Sequence, residues 1–214
     1  NAISHAQTNS NWNGNAFTVN NKGEESWTYD AKGNAISYAQ TYSNWNGNAL
    51  TLNNENEENW TYDANGNQIS HKLTTSSFDW NGHLTSKNTT ENGSDIHGYP
   101  LVNSNSYLNF DSNGVVNYGN SNEQTWSYDA AGNLLTSHQA NLSYGSNGTL
   151  NGGNATDTIW TYDANNHPLT HIQTSSNWNG NALTVNNKGE ESWTYDAKGN
   201  AISHTQTNSN WNGN

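Results

Sequence analysis

The sequence predicts an all-β protein, built as a tandem array of β-hairpins with essentially no helix. A turn of the form aromatic-Asp-x-x-Gly-Asn recurs along the 214 residues. Between turns, apolar and polar residues alternate with a period of two, as in a strand with one buried face. No segment carries the i, i+3, i+4, i+7 apolar stripe of an amphipathic helix.

The turns follow a repeat of about 33 residues. Successive strand tryptophans are separated by 33, 66, 34 and 33 residues, and they are Trp27, Trp60, Trp126, Trp160 and Trp193. Shorter turns lie between the long ones. We therefore expect residues 1–214 to form one continuous array of about six units, each made of two half-repeats. Residues 83–125 form the most divergent unit.

The residue types in the long turns account for the turn conformation. The Asp can accept hydrogen bonds from backbone groups two residues on, and Gly supplies the positive φ of a type I turn followed by a bulge. Asn replaces Gly once, and it tolerates positive φ. The predicted turn residues are Tyr29, Asp30, Gly33, Tyr62, Asp63, Gly66, Asp95, Gly98, Tyr128, Asp129, Gly132, Tyr162, Asp163, Asn166, Tyr195, Asp196 and Gly199.

Two further kinds of segment are candidates for turns. The first is the shorter turn of each unit, Asn-Trp-Asn-Gly, which becomes Phe-Asp-Trp-Asn-Gly at residues 78–82. The second is Asn-Asn-Lys-Gly at residues 20–23 and 186–189, which we expect to form turns at the opposite ends of the strands. We also expect the acidic segment at residues 53–59 to be a solvated hairpin tip.

Composition limits how the chain can be stabilised and what it can bind. Asn makes up 44 of the 214 residues, and hydrophobic residues make up only 30%. The apolar mass lies in 10 Trp and 11 Tyr, which we expect to stack along the array. The chain has no Cys, which excludes disulfides and thiolate metal sites. Its formal net charge of −12 argues against nucleic acid or anionic membrane partners, and no apolar segment predicts membrane insertion.

The two ends of the sequence are nearly identical. Residues 1–15 and 200–214 differ only at Ala6 and Thr205, and the chain contains no Met. We therefore expect the sequence to be an excerpt of a longer repeat array. The edges of such an array are candidates for self-association into a polymer.

The long turns resemble the motif of the YD-repeat (Rhs-type) proteins of bacterial cell surfaces, approximately Tyr-Asp-x-x-Gly-Arg/Asn-Leu. The resemblance extends over almost the whole chain and is best at the turns that begin at Tyr29, Tyr62, Tyr128, Tyr162 and Tyr195. It implies hairpins laid side by side in a long spiralling sheet or β-solenoid, at an extracellular or cell-surface location. Nothing in the sequence resembles the toxin domain that some members enclose.

Histidines recur at the eighth position after the turn Asp. A line of His could bind a transition metal, but Tyr38 occupies the same position after Asp30, which favours an aromatic ladder. The histidines at this position are His71, His171 and His204.

Calcium is a second cofactor hypothesis, which we disfavour because the turn itself accounts for the Asp spacing. Since the Asp residues repeat identically and no nucleophile motif is present, the sequence predicts no enzyme.

Carbohydrate is the alternative ligand. Tryptophans inside the short turns are flanked by Asn, and they could form a multivalent glycan platform or fold over neighbouring hairpins as staples. They are Trp12, Trp45, Trp80, Trp178 and Trp211. Candidate glycosylation sequons begin at Asn88, Asn92, Asn141, Asn147 and Asn154.

The sequence as a whole predicts a secreted structural element. Stacked β-hairpins would form a fibre, a filament or the shaft of an adhesin, held by backbone ladders, paired Asn side chains and aromatic stacks. The alternative is a multivalent carbohydrate-binding adhesin that uses the turn tryptophans. Cell-surface glycans would then be its partners.

Overall fold

The computed structural model describes residues 2–12 and 17–211. These residues form 13 antiparallel strands in a single sheet, and each strand pairs with its neighbours in sequence. The strands are β1 Ala2–Trp12, β2 Phe17–Tyr29, β3 Ala35–Trp45, β4 Leu50–Tyr62, β5 Gln68–Phe78, β6 Leu84–Ser94, β7 Pro100–Phe110, β8 Val116–Tyr128, β9 Leu134–Tyr144, β10 Leu150–Tyr162, β11 Pro168–Asn179, β12 Ala182–Tyr195 and β13 Ala201–Asn210.

The predicted all-β hairpin array with essentially no helix is confirmed. Within the described part of the chain, the one helical element is a 3₁₀ turn at Ser146–Gly148. The sheet is open, because β1 and β13 each pair on one side only. Since all neighbours are joined by hairpins, the strands form a continuous meander and not the coils of a β-solenoid.

Successive turns alternate between the two ends of the strands. The turns that follow the even-numbered strands lie along one side of the sheet, here called the aspartate edge, and they contain Asp30, Asp63, Asp95, Asp129, Asp163 and Asp196. The turns that follow the odd-numbered strands lie along the opposite edge. The 33-residue period therefore places equivalent turns side by side, two strands apart.

The sheet has two chemically different faces. The tryptophan face carries Trp27, Trp60, Trp126, Trp160 and Trp193, and the hydroxyl face carries cross-strand pairs of Ser and Thr at the alternate positions. Hydroxyl oxygens lie 2.5 to 2.7 Å apart in the pairs Thr28–Ser37, Thr61–Ser70, Ser127–Thr136, Thr161–Thr170 and Thr194–Ser203.

The sheet has almost no enclosed core. Among the described residues, the only buried apolar side chains are Ala140 and Ala155, which face each other across β9 and β10. The accessible surface is 13087 Å² for 23.5 kDa, whereas a compact monomer of this mass exposes about 9,800 Å². The protein is therefore a single layer that depends on pairing within the sheet.

The sheet curls toward its tryptophan face near β2 to β4. Strands two apart in a flat sheet are separated by about 9.6 Å, yet Cα atoms of β2 and β4 come within 8 Å. The ring centroids of Trp27 and Trp60 on these strands are 6.2 Å apart and nearly parallel. A cleft lined by residues of β1 to β5 opens on the tryptophan face in this region, so this face is the concave one.

Bulges occur in register along the array. At the aspartate edge, the second residue of the strand that follows each turn has no cross-strand partner in the register, as at Ile36 and Ile202. Further bulges fall at Asn20, Asn53 and Asn186 inside β2, β4 and β12. Bulges increase local twist and bend the strand, which is consistent with the curl.

Two turn predictions were wrong. Residues 20–23 and 186–189 lie inside β2 and β12, and the acidic segment at residues 53–59 lies inside β4. Runs of Asn, Lys and Glu look like turns by composition. The register set by the flanking turns pairs them across strands instead, as where Asn9 Nδ2 donates to Asn21 Oδ1 at 2.9 Å.

Candidate functional site

The turns of the aspartate edge share one hydrogen-bond pattern, here called the Asp clasp. In the first turn, Asp30 Oδ1 accepts the backbone N–H groups of Lys32 and Asn34, both at 2.8 Å. Asp30 Oδ2 accepts the Asn34 side-chain amide at 2.9 Å. The backbone N–H of Gly33 donates to the Asp30 carbonyl at 3.2 Å, so Asp30 accepts hydrogen bonds from three other residues of the turn.

The clasp recurs along both edges. Equivalent backbone bonds to Oδ1 are made at Asp63, Asp79, Asp95, Asp111, Asp129, Asp163 and Asp196. Asn46 makes a shorter version in which its Oδ1 accepts from Asn48 and Ala49 at 3.0 Å. Asp95 and Gly98 thus form the turn predicted in the divergent unit. Asp79 and Asp111 accept the same backbone hydrogen bonds in turns at the opposite edge.

The clasp favours the ionised carboxylate. The side-chain bond from Asn34 and the backbone N–H bonds lower the pKa of Asp30, because they stabilise its charged form. Asp63, Asp129 and Asp196 have lowered pKa values for the same reason, with the bond from the Asn side chain as the largest cause. For Asp163, the backbone bond from His167 is the largest cause of the lowered pKa.

Each turn also supports the next turn along the edge. The glycine of the turn has positive φ, +87° at Gly132 and +82° at Gly199. A Cβ at Gly132 would lie within 3.0 Å of Tyr99, and one at Gly199 would lie 2.9 Å from His167. Both neighbours belong to the preceding turn, so glycine provides space as well as backbone freedom.

Asn166 occupies the position at which the other turns of the aspartate edge have glycine. Its φ is +66°, and its Oδ1 accepts a hydrogen bond from Asn133 Nδ2 in the preceding turn at 2.9 Å. The side chain that replaces glycine therefore joins two turns directly. At the first pair of turns, Lys32 Nζ donates to the carbonyl of Ala64.

Three tyrosine hydroxyls each join one hairpin to the hairpin before it. Tyr62 donates to the Ala35 carbonyl at 2.8 Å, and Tyr195 donates to the Pro168 carbonyl at 3.0 Å. Tyr162 makes the same bond to Leu134 at 3.0 Å. Burial raises the pKa of Tyr162, with a further contribution from the charge of Asp129. These Tyr residues, which the sequence assigned to turns, are the last residues of β4, β10 and β12 and form contacts between units.

An aromatic band follows the aspartate edge on the tryptophan face. Each of four strand tryptophans contacts the aromatic residue opposite, with ring centroids 3.9 to 5.4 Å apart. The rings are stacked in Trp60–His71, Trp160–His171 and Trp193–His204, and they are tilted by 34° in Trp27–Tyr38. Trp160 and Trp193 are also 6.1 Å apart and stacked. The histidines at the eighth position after Asp therefore lie in an aromatic ladder.

The described residues provide little basis for a metal site. No group of three or more His, Asp or Glu in residues 2–12 and 17–211 is arranged to hold a metal ion. The clasp already uses both oxygens of carboxylates such as Asp63, which accept two backbone amides and one side-chain amide. Calcium needs six to eight converging oxygens, which a single clasp does not supply.

The predicted glycan-platform tryptophans lie along the opposite edge. Trp80 is 72% exposed, Trp211 46% and Trp45 41%, while Trp178 is half-buried. The side chain of Trp12 lies outside the described residues. Among the described residues, no ring contact joins these four tryptophans to another aromatic side chain, so they do not staple neighbouring hairpins by stacking.

The predicted sequon residues lie mostly within strands. Asn88 and Asn92 lie in β6, Asn141 in β9 and Asn154 in β10, whereas Asn147 lies in the 3₁₀ turn with φ of +63°. Two of these belong to a ladder of cross-strand Asn side chains, in which Asn122 donates to Asn141 at 2.5 Å and Asn141 donates to Asn154 at 2.9 Å. Sequence reasoning anticipated paired Asn but not this row, Asn105, Asn122, Asn141, Asn154 and Asn177.

No helix in the described part of the chain is long and apolar enough to cross a membrane. No protein-family model matches the chain. No curated protein matches it either.

Two solved structures are similar at a low level. A porin-like protein from Bacteroides uniformis is 10% identical, with 87% of this chain and 93% of that chain covered and a TM-score of 0.22. TcdB2-TccC3 is 9% identical with a TM-score of 0.16, and the match covers 94% of this chain but only 17% of that one. At such scores, neither likeness carries an argument about this protein.

Replacing turn glycines should separate backbone strain from crowding between turns. Gly33→Ala meets no atom within 4 Å, whereas Gly132→Ala meets Tyr99. We expect Gly33→Ala to lower the free energy of unfolding by about 1–2 kcal/mol, because it forces Ala into positive φ. Gly132→Ala should lower it further, and chemical denaturation measures both. Equal losses would contradict the proposed contact between turns.

The Asp clasp should make stability depend on pH. Because the folded-state pKa of Asp63 is lowered, its stabilisation is fully present above the ordinary value of about 3.9. It is lost as the pH falls through the folded-state pKa. Asp63→Asn keeps an Oδ1 acceptor, as Asn46 does, but removes the charge. Thermal unfolding from pH 6 to pH 2 should therefore show a smaller loss of stability for Asp63→Asn than for the parent chain, and an unchanged loss would contradict this assignment.

Proposed function

We propose that the protein is an extracellular structural element, a length of fibre, filament or adhesin shaft made of stacked β-hairpins. The observation that carries this proposal is that contacts between units repeat with the unit. The Tyr hydroxyl bonds of Tyr62, Tyr162 and Tyr195 connect successive units in the same way. When identical contacts join successive units, the number of units determines the length of the array.

The geometry supports a spacer. Each 33-residue unit contributes two strands, which add about 9.6 Å in the stacking direction. The single layer exposes both faces, and its side chains are mostly polar or half-buried. Cross-strand hydrogen bonds and aromatic stacks therefore hold the array together along its length. The resemblance of the long turns to YD-repeat proteins supports a cell-surface location.

Self-association is part of the proposal. In the described residues, β1 and β13 each present one unpaired side, and unpaired strand edges can pair with another chain. Sedimentation velocity at increasing protein concentration tests this directly. We expect species larger than the monomer, and a monomer at all concentrations would contradict self-association.

Adding a unit should lengthen the array by a fixed increment. Duplicating residues 163–195 preserves the Tyr-Asp junction and adds two strands in phase with the repeat. Small-angle X-ray scattering of chains with one, two and three added copies should show equal increments, about 9.6 Å each along the array. A 33-residue Gly/Ser insertion at the same point is the control, because it adds mass without sheet. Absence of regular growth would contradict the spacer role.

A second candidate function is carbohydrate adhesion at the opposite edge. The exposure of Trp80 and Trp45 favours it, because these indole rings stack on no aromatic side chain in the part of the chain that the structure describes and are available to a ligand. Several such rings on one edge would bind multivalently.

Substitution of single tryptophans should separate the adhesive role from the structural one. We expect Trp80→Ala to reduce retention on a glycan array while leaving the melting temperature unchanged. Trp60→Ala is the control, because its ring stacks on Trp27 and His71; it should cost roughly 1–3 kcal/mol of stability. Undiminished retention by Trp80→Ala would contradict the adhesive role of this edge.

A further inference from the structure

The concave part of the tryptophan face holds a cavity away from the turn tryptophans. It spans β1 to β5 and has a volume of about 580 Å³, within the ~300–1,000 Å³ of small-molecule sites. Its lining residues include His5, Gln7, Glu25, Gln40 and Tyr42. We call it the glycine cleft after Gly23, which is one of its lining residues.

Gly23 creates the depression by lacking a side chain. It lies between Gln7 of β1 and Tyr42 of β3, its partners in the sheet register. A Cβ at Gly23 would meet nothing nearer than the Thr41 carbonyl oxygen at 4.0 Å, and its φ is not positive. The glycine is therefore required neither by backbone conformation nor by crowding, and it leaves open space between two taller side chains.

The wall beside Gly23 is a fixed polar network. Asn56 Nδ2 donates to Gln40 Oε1 at 3.3 Å, and Gln40 Nε2 donates to Glu25 Oε1 at 2.9 Å. The Tyr38 hydroxyl also donates to Glu25 Oε1, at 3.4 Å. These bonds set the orientation of the amide groups before a ligand arrives, which reduces the entropy lost on binding.

The chemistry of the lining selects a class of ligand. Amide side chains can donate and accept at once, which suits neighbouring hydroxyl groups. Tyr42 is 39% exposed and offers an aromatic surface for an apolar ring face. Neither Lys nor Arg is among the lining residues, while Glu25 brings negative charge, so the cleft disfavours an anionic ligand relative to a neutral one.

We propose that the glycine cleft binds a neutral oligosaccharide, with Tyr42 under one sugar ring and the amides of Gln7 and Gln40 on its hydroxyl groups. This site is separate from the tryptophan row of the opposite edge. It adds a binding activity on the face of the array to the structural role proposed above.

The sequence provides a matched control. Residues 18–34 and 184–200 are identical, so Gly189 is the counterpart of Gly23 in the same local sequence. Opposite Gly189 lies Asn208 and not a tyrosine. A Cβ at Gly189 would lie 3.2 Å from Asn208 Oδ1, which belongs to a side chain that can rotate away. The same substitution at both glycines therefore changes the cleft in only one case.

The test is an NMR titration of the 214-residue chain with chitotriose and with cellotriose. We expect at least one of these neutral trisaccharides to shift resonances of the cleft residues. Gly23→Leu, which fills the cleft, should weaken this binding at least tenfold, as should Tyr42→Asn. Gly189→Leu should leave it unchanged. Circular dichroism of each variant confirms that the sheet is formed.

Three outcomes would overturn the proposal. These are no shift with either sugar at millimolar concentration, equal loss of binding in Gly23→Leu and Gly189→Leu, or loss in Trp80→Ala but not in Gly23→Leu. The last result would assign sugar binding to the opposite edge. None of them affects the length measurement, so failure of the cleft and failure of the structural role are distinguishable.

Discussion

The Asp clasp is the interaction on which the rest of this structure depends. The described strands form a single layer without an enclosed core, and such a layer cannot obtain its register from packing against a second layer. The carboxylate of residues such as Asp63 fixes the turn instead, and the turn fixes the register of the strands on both sides. Repetition of the clasp places chemically equivalent side chains in rows across the sheet.

Those rows replace a hydrophobic core. On one face, four strand tryptophans pack against the rings of Tyr38, His71, His171 and His204; on the other, paired hydroxyl groups bond across strands. Each contact is worth little alone, since a cross-strand pair contributes roughly 0.2–1 kcal/mol, but hydroxyl pairs recur at β2–β3, β4–β5, β8–β9, β10–β11 and β12–β13. Stability thus grows with unit number, as in other repeat proteins whose units contact only their neighbours.

The same repetition allows local differences to acquire a function. Gly23 and Gly189 occupy identical sequence contexts, yet only Gly23 has a tyrosine opposite it. Curvature toward the tryptophan face near β2 to β4 then brings the neighbouring side chains around the empty position. A small departure within a regular array can in this way form a binding site without changing the scaffold.

The sequence alone determined the all-β class, the Asp and Gly turn chemistry, the positive φ at Asn166 and the stacking of the histidine positions, because these depend on local rules and on the period of the repeat. It misassigned the Asn-Asn-Lys-Gly and acidic segments, since composition cannot distinguish a polar strand from a turn. Only the tertiary structure decided which turns share an edge, which side chains lie opposite one another, and where the sheet curls. These three features depend on the register of strand pairing and on the positions of the bulges. The cleft around Gly23 requires all three features.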